Sequence, residues 1–144
     1  NIAGNLDLND SDSISDEVFN KIKNLKEINY LGNLDHDDML KQYLNSDIFV
    51  LPSYGEGLPK AAIEAAASGM PLILSRTSGC LECINEGENG SFIAIKDSAS
   101  AQQAMEFFIK NPQKIPQMSK YSRELANKKF ALSNIYPLYK KLIT

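Results

Sequence analysis

The sequence predicts an α/β fold, a Rossmann-like, doubly wound parallel sheet with helices on both faces. Apolar runs of strand length alternate along the chain with segments of helical periodicity. The run "DIFVLPS" is apolar at consecutive positions, which is typical of a strand buried on both faces. The chain has 144 residues, enough for one domain with a core of its own, and we expect residues 1–144 to form that domain.

Each expected element rests on its own stretch of sequence. Strands are expected at residues 2–3, 28–31, 48–51, 71–74 and 91–95, in one parallel sheet of about five strands. Helices are expected at residues 16–24, 37–44, 59–68, 81–85 and 100–110, and two or three more in 115–143, broken by Pro116 and Pro137. Such sheets bind ligands at the carboxyl ends of their strands, so the loop "SYGEGLP" after the third strand is the candidate site.

Composition and charge exclude several function classes. The chain is 43% hydrophobic and 23% charged, with a net charge of -3, which argues against a general nucleic-acid binder. No membrane span or secretory signal is recognisable, so we expect a cytoplasmic protein. Residues 110–144 contain eight Lys or Arg and one acid, Glu124. This basic region is either a set of solvated helix faces or a surface for an anionic partner, such as the headgroups of a membrane that the protein touches peripherally.

The candidate loop carries one glutamate, and a second lies eight positions later among alanines. Glu56 lies between Gly55 and Gly57, where the backbone can approach a ligand closely. Glu64 shares its predicted helix with five alanines, and a carboxylate in such surroundings is costly without a partner. We expect Pro59 at the first helical position, where free N–H groups and the helix dipole can hold phosphate without a metal. Glu64 then lies about 7 Å further along the helix axis. Hydroxyl-bearing groups on both sides of a phosphate, as in a nucleotide sugar, fit this spacing.

A longer pattern contains both glutamates. The stretch from Tyr30 to Ile93, which includes "EGLPKAAIEAAASGMPLI" and its E-x₇-E spacing, resembles the C-terminal, donor-binding domain of the retaining glycosyltransferases of GT-B architecture, called glycosyltransferase group 1 or family 4. The resemblance implies a hexosyltransferase of polysaccharide biosynthesis. Its donor would be a UDP- or GDP-sugar and its acceptor a glycan or a lipid-linked sugar, with no metal cofactor.

The resemblance also implies roles for individual residues. Glu56 matches the glutamate that contacts the donor sugar near the reacting anomeric carbon, and is the candidate catalytic residue. Glu64 matches the glutamate that holds the ribose hydroxyls. The loop and helix start whose backbone faces the diphosphate and sugar are matched by Gly57, Leu58 and Pro59.

Two further positions match the family less closely. Leu34, after "YLGN", matches a loop that commonly touches the base. Glu82 matches a glutamate that follows a glycine pair, although the pair reads Ser78 and Gly79 here. The Arg and Lys that neutralise the diphosphate in family members lie on a strand and helix upstream of this stretch. We therefore expect the natural chain to continue upstream into that strand and helix and into an N-terminal acceptor domain, without which residues 1–144 should be inactive.

Other interpretations of these residues remain open. Paired glutamates also occur in glycosidases, and a GT-B-like fold is compatible with a sugar-nucleotide epimerase or a non-catalytic binding module. Cys80 and Cys83 form a C-x-x-C pair, but His36 is the only histidine, so two reduced thiols are favoured over a zinc or redox site. We expect His36 to lie exposed near a helix start that Asp35 caps. With a single histidine, Ser-His and Cys-His catalysis have little support.

Overall fold

The computed structural model describes residues 1–4 and 14–143, and for residue 143 it describes the backbone alone. The chain divides into two units, Asn1–Lys41 and Gln42–Thr144. Each unit contains parallel strands and helices, which confirms the predicted α/β class.

The described part of the first unit contains two short parallel strands. β1 (Ile2–Ala3) pairs with β2 (Tyr30–Gly32), and α1 (Asp16–Lys23) lies between them in sequence. The helix α2 (His36–Leu44) begins in this unit and ends in the second. As predicted, Asp35 caps α2: its carboxylate accepts the N–H of Asp38 at 2.8 Å.

The second unit contains a three-stranded parallel sheet in the order β3-β4-β5. Its strands are β3 (Phe49–Leu51), β4 (Leu72–Ser75) and β5 (Gly90–Ile93). Its helices after α2 are α3 (Lys60–Ala67), α4 (Ser98–Lys110), α5 (Ile115–Phe130) and α6 (Leu132–Ile143), with single 3₁₀ turns at Cys80–Glu82 and Pro112–Lys114. α3 packs against β3, β4 and α5, while α4 packs against β4 and β5.

The core of the second unit is centred on β4. All four residues of this strand are buried, because it has a paired neighbour on each side. A cluster of Ile73, Ile93, Phe108 and Met118 joins the sheet to α4 and α5. The residues of β3 are only half-buried, since β3 is an edge strand of this sheet. The expectation that "DIFVLPS" is buried on both faces is therefore wrong.

Several other details differ from the prediction. The described strands form a two-stranded sheet in the first unit and a three-stranded sheet in the second, where one sheet of about five strands was predicted. The predicted helix at 81–85 is only the 3₁₀ turn, since the Asn89 side chain accepts the N–H of Asn85 at 2.7 Å and removes it from a helical ladder. Pro116 lies in the first turn of α5, where a missing N–H costs nothing, and Pro137 lies inside α6 without ending it.

Candidate functional site

The glycine loop, residues 52–59, joins the carboxyl end of β3 to the start of α3. The Ser53 hydroxyl donates to the carbonyl of Gly55 at 3.1 Å, which turns the chain as it leaves the strand. At Gly55 and Gly57, no atom of the described residues, apart from the chain neighbours, lies within 4 Å of the place where a Cβ atom would be, and neither residue has a positive φ. These glycines therefore provide open space beside Glu56, through which a ligand can approach the backbone closely.

Gly79 holds the glycine loop from the neighbouring connection after β4. Its N–H donates to the carbonyl of Glu56 at 3.3 Å. A Cβ atom at position 79 would lie 1.9 Å from the carbonyl oxygen of Gly57, so no residue with a side chain fits here unless the loop moves. From the sequence, Gly79 was only part of a loosely matched turn, and this contact could not be predicted.

The start of α3 presents free backbone donors next to the glycine loop. Pro59 is the buried cap of the helix rather than its first residue, and its carbonyl accepts the N–H groups of Ala62 and Ile63 at 3.1 and 3.2 Å. The N–H groups of Lys60 and Ala61 precede these first bonds, so the helix itself offers them no acceptor. Lys60 is exposed and adds its charge to the positive end of the helix dipole. This end of α3 suits an anion.

Glu64 lies one turn into α3 and has a protein partner. The residue is half-buried, and buried alanines surround it on the helix at Ala62, Ala65 and Ala66. The Tyr43 hydroxyl donates to its Oε2 at 3.3 Å. Burial, and then the negative charge of Glu64, raise the pKa of Tyr43 to about 12, so the phenol stays protonated and remains a donor. A carboxylate among alanines was expected to need a polar partner. Tyr43 is that partner, and the sequence alone did not identify it.

A lysine from the β5–α4 connection also reaches the glycine loop. The Lys96 Nζ lies 4.7 Å from the centre of the Tyr54 ring, and the ring is half exposed. Lys96 has a φ of 59°, a left-handed conformation that is uncommon for a residue with a side chain. Arg76, at the end of β4, instead forms an ion pair with Glu86 and lies over the Phe92 ring. Lys96 is therefore a second cation beside the loop that the sequence analysis missed.

The structure places the predicted site residues in two groups. Most of them lie in the second unit, on the glycine loop and the first turns of α3. They are Glu56, Gly57, Leu58, Pro59 and Glu64. Glu56 is half-buried and Leu58 is half exposed. Leu34 lies in the first unit, half-buried between β2 and α2, and its contact with a base stays a prediction. Glu82 is exposed, and its carboxylate accepts from Lys129 of α5 at 3.1 Å.

The two cysteines and the histidine are the other residues that the sequence singled out. Cys80 and Cys83 are both buried and unbridged, and burial raises the pKa of Cys83 to about 11. His36 is exposed at the first residue of α2. Within residues 1–4 and 14–143, no three His, Cys, Asp or Glu side chains are grouped so that they could hold a metal ion.

A separate hollow lies at the other end of α3. It has a volume of about 430 Å³ and is lined by Gly69, Ser119, Lys120, Arg123, Glu124 and Asn127. The Arg123 guanidinium donates to the carbonyl of Ser68 at 2.9 Å, which holds the C-terminal end of α3 against α5. The hollow therefore lies where two helices, α3 and α5, pack against each other.

Comparison with known protein families gives a match over most of the chain. The family model described as glycosyl transferases group 1 matches residues 2–125. A Campylobacter jejuni protein, N,N'-diacetylbacillosaminyl-diphospho-undecaprenol alpha-1,3-N-acetylgalactosaminyltransferase, is 32% identical over 84 residues, covering 58% of this chain and 22% of that protein. A glycogen synthase of Mycobacterium tuberculosis is 31% identical over 100 residues, covering 69% of this chain and 24% of that protein.

Two solved structures with the same fold are similar to this chain over most of its length. Sucrose-phosphate synthase from Thermosynechococcus elongatus superposes with a TM-score of 0.76 at 27% identity, covering 88% of this chain and 33% of that one. Anabaena HepE, solved in complex with UDP-glucose, superposes with a TM-score of 0.80 at 18% identity, covering 98% of this chain and 39% of that one. The chain thus spans between a fifth and two fifths of the length of these relatives.

Proposed function

The chain belongs to the glycosyl transferases of group 1, and from this premise we propose that it is the donor-binding part of a retaining hexosyltransferase with GT-B architecture. The observation that carries the proposal is the position of Glu56 and Glu64. They lie on either side of the start of α3, where a parallel sheet of this kind binds its ligand.

The diphosphate of the donor would lie at the start of α3. The unbonded N–H groups there, the helix dipole and Lys60 all favour negative charge. Lys96 adds a further cation next to the glycine loop. Because these groups can neutralise the leaving diphosphate, we propose that transfer requires no metal ion. Activity should then persist in EDTA, and a complete loss that manganese restores would contradict this.

The two glutamates would act on opposite ends of the donor. Glu64 lies inside the first turns of α3, where its carboxylate would accept hydroxyl groups of the ribose. Glu56, in the open part of the glycine loop, would contact the transferred sugar close to the anomeric carbon, where positive charge develops.

The chemistry would then be an exchange of one C–O bond for another. The bond from the anomeric carbon to the diphosphate breaks, and the acceptor oxygen forms its bond on the same face. The acceptor proton passes to the leaving diphosphate. Retention would appear as a product with the anomeric configuration of the donor, which NMR of the product measures directly.

Relatives suggest which donors and acceptors to test first. HepE was solved with UDP-glucose and with UDP, so UDP-sugars are the first candidates for the donor. The Campylobacter relative acts, by its name, on a sugar linked to undecaprenol diphosphate and forms an alpha-1,3 linkage. We therefore propose a glycan or a lipid-linked sugar as acceptor, and polysaccharide biosynthesis as the setting.

A lipid-linked acceptor would place a cytoplasmic enzyme at the inner face of a membrane. Among the described residues, no helix is both long enough and apolar enough to cross a bilayer. On α6, Lys140 and Lys141 accompany exposed apolar side chains such as Leu132 and Leu142, a combination that favours peripheral contact with anionic headgroups. Co-sedimentation with anionic vesicles, lost in neutral vesicles or at high salt, tests this contact.

The experiment that tests the proposed function is a donor screen on the full-length protein. Thermal unfolding is followed with UDP-, GDP- and ADP-glucose and their N-acetylhexosamine counterparts, and positive donors enter a transfer assay with lipid-linked and glycan acceptors. We expect one nucleotide class to raise the melting temperature and to support transfer. Stabilisation with epimerised donor and no transfer would indicate an epimerase, and stabilisation without any turnover would indicate a binding module.

A further inference from the structure

We propose that Tyr43 is a positioning residue of the donor site, which fixes the carboxylate of Glu64 in the orientation that binds the ribose. This inference rests on the proposed function, because it takes the ribose as the ligand of Glu64. Tyr43 itself touches no substrate in this account and acts through Glu64.

The first observation is the contact between the two side chains. The Tyr43 hydroxyl donates to Oε2 of Glu64 at 3.3 Å across 21 residues of sequence. A carboxylate has lone pairs for about four hydrogen bonds in all. With one of them used by Tyr43, Oε1 and the remaining lone pair of Oε2 stay available for a neighbouring pair of hydroxyls.

The second observation is that the Tyr43 side chain is held rigidly. Tyr43 is only 5% exposed, and its ring packs edge to face against Phe49 of β3, with the ring centres 6.0 Å apart. A buried ring held by a strand has few rotamers available, so its hydroxyl points in one direction. Glu64, in contrast, is half-buried on α3, where the positions three residues before and after it, Ala61 and Ala67, carry only methyl groups.

The third observation concerns the proton. Burial and the charge of Glu64 hold the pKa of Tyr43 near 12. The phenol therefore donates throughout the range in which enzymes work, and Glu64 accepts. A carboxylate that is oriented before the ligand arrives loses less freedom on binding, which favours affinity.

The test compares ligands with and without the ribose hydroxyls. In the full-length protein, UDP and 2′,3′-dideoxy-UDP are titrated into wild type, Tyr43→Phe, Glu64→Gln and the double variant, with the guanosine and adenosine pairs run in parallel. Phenylalanine keeps the ring and its packing and removes only the hydroxyl. Tyr136→Phe is the matched control, since Tyr136 is 72% exposed on α6.

We expect wild type to prefer the ribonucleotide, and Tyr43→Phe to reduce that preference about fivefold without weakening the dideoxy ligand. In the Glu64→Gln background, Tyr43→Phe should have little further effect on this preference. In the otherwise wild-type enzyme, Tyr43→Phe should raise the KM for the sugar donor and leave kcat unchanged. Equal weakening of both ligands would show that Tyr43 only packs, and would overturn the inference alone. A wild type that does not discriminate between the ligands would overturn both the inference and the ribose role of Glu64.

Discussion

The geometry of the glycine loop depends on one residue outside it. Gly79 approaches the backbone of Glu56 and Gly57 so closely that its lack of a side chain is a packing requirement. The loop can then keep Glu56 in a fixed place while the space beside Gly55 and Gly57 stays open. Gly55 and Gly57 therefore keep space open for a ligand, whereas Gly79 allows close packing against the loop backbone.

This difference gives a prediction for two single substitutions. Gly79→Ala forces a methyl group against the Gly57 carbonyl, and we expect a loss of about 1–3 kcal/mol or more in the free energy of unfolding. Gly57→Ala adds a methyl group where no atom lies within 4 Å and should change stability far less. Urea unfolding of both variants measures the difference. A Gly79→Ala protein as stable as the Gly57→Ala protein would show that the loop yields at no cost.

The sequence pointed to some residues of the candidate site and missed others for a physical reason. Glu56 and Glu64 were found because they lie on one local pattern, a loop and the helix that follows it. Tyr43, Gly79 and Lys96 contact this pattern from α2 and from two later connections, and these contacts depend on the tertiary fold. Helical periodicity placed Tyr43 in a helix, but it does not show which carboxylate its hydroxyl meets.

Among the elements, helix ends were predicted less well than helix positions. α4 begins two residues earlier than expected because Asp97 caps it, accepting the N–H groups of Ala99 and Ser100 at 3.0 and 3.1 Å. The expected start at residue 100 overlooked this aspartate. The first predicted strand, residues 2–3, has the bounds of β1, and the other four differ from the observed strands by at most two residues at either end, since strand limits depend on the hydrogen bonds of the neighbouring strand.

Two buried side chains, one on α2 and one on the β4–β5 connection, predict how stability depends on pH. Burial raises the pKa of Tyr43 from 10.0 to about 12 and that of Cys83, on the β4–β5 connection, from 9.0 to about 11. A raised pKa in the folded state means that each group stabilises the fold fully below its unfolded pKa, and that this stabilisation is lost as pH rises toward the folded value. We expect the free energy of unfolding to decline from about pH 9 to about pH 12.

Tyr43→Phe isolates the contribution of one group. Its unfolding free energy should fall less steeply than that of wild type between pH 10 and pH 12, because the phenol that must deprotonate is absent. Urea unfolding at fixed pH steps measures both slopes. Identical slopes in the two proteins would contradict the burial of the phenol.

For the whole molecule, the proposed function divides the work between this chain and the rest of the enzyme. The second unit has its own core and ordered helices, so we expect residues 1–144 to fold without further sequence. The acceptor would be delivered by another domain, and closure of that domain would exclude water from the activated sugar. We therefore expect the isolated chain to bind UDP-glucose weakly and to transfer no sugar.

Titration calorimetry and a product assay on the 144-residue chain test this division of work. The control is the full-length protein under the same conditions. Sub-micromolar donor affinity or measurable transfer by the isolated chain would contradict the account, since it would show that the start of α3 and the glycine loop suffice.

The central claim is that Glu56 and Glu64 hold different parts of one nucleotide sugar, and steady-state kinetics of the full-length enzyme tests it most directly. Glu64→Ala removes charge-assisted bonds of about 1.5–3 kcal/mol, so the KM for the donor should rise roughly tenfold to a hundredfold while kcat is nearly kept. Glu56→Ala should instead lower kcat and leave donor affinity nearly unchanged. Glu124→Ala, an exposed glutamate of α5, should change neither. A loss of kcat in Glu64→Ala with a pure KM effect in Glu56→Ala would contradict the assignment.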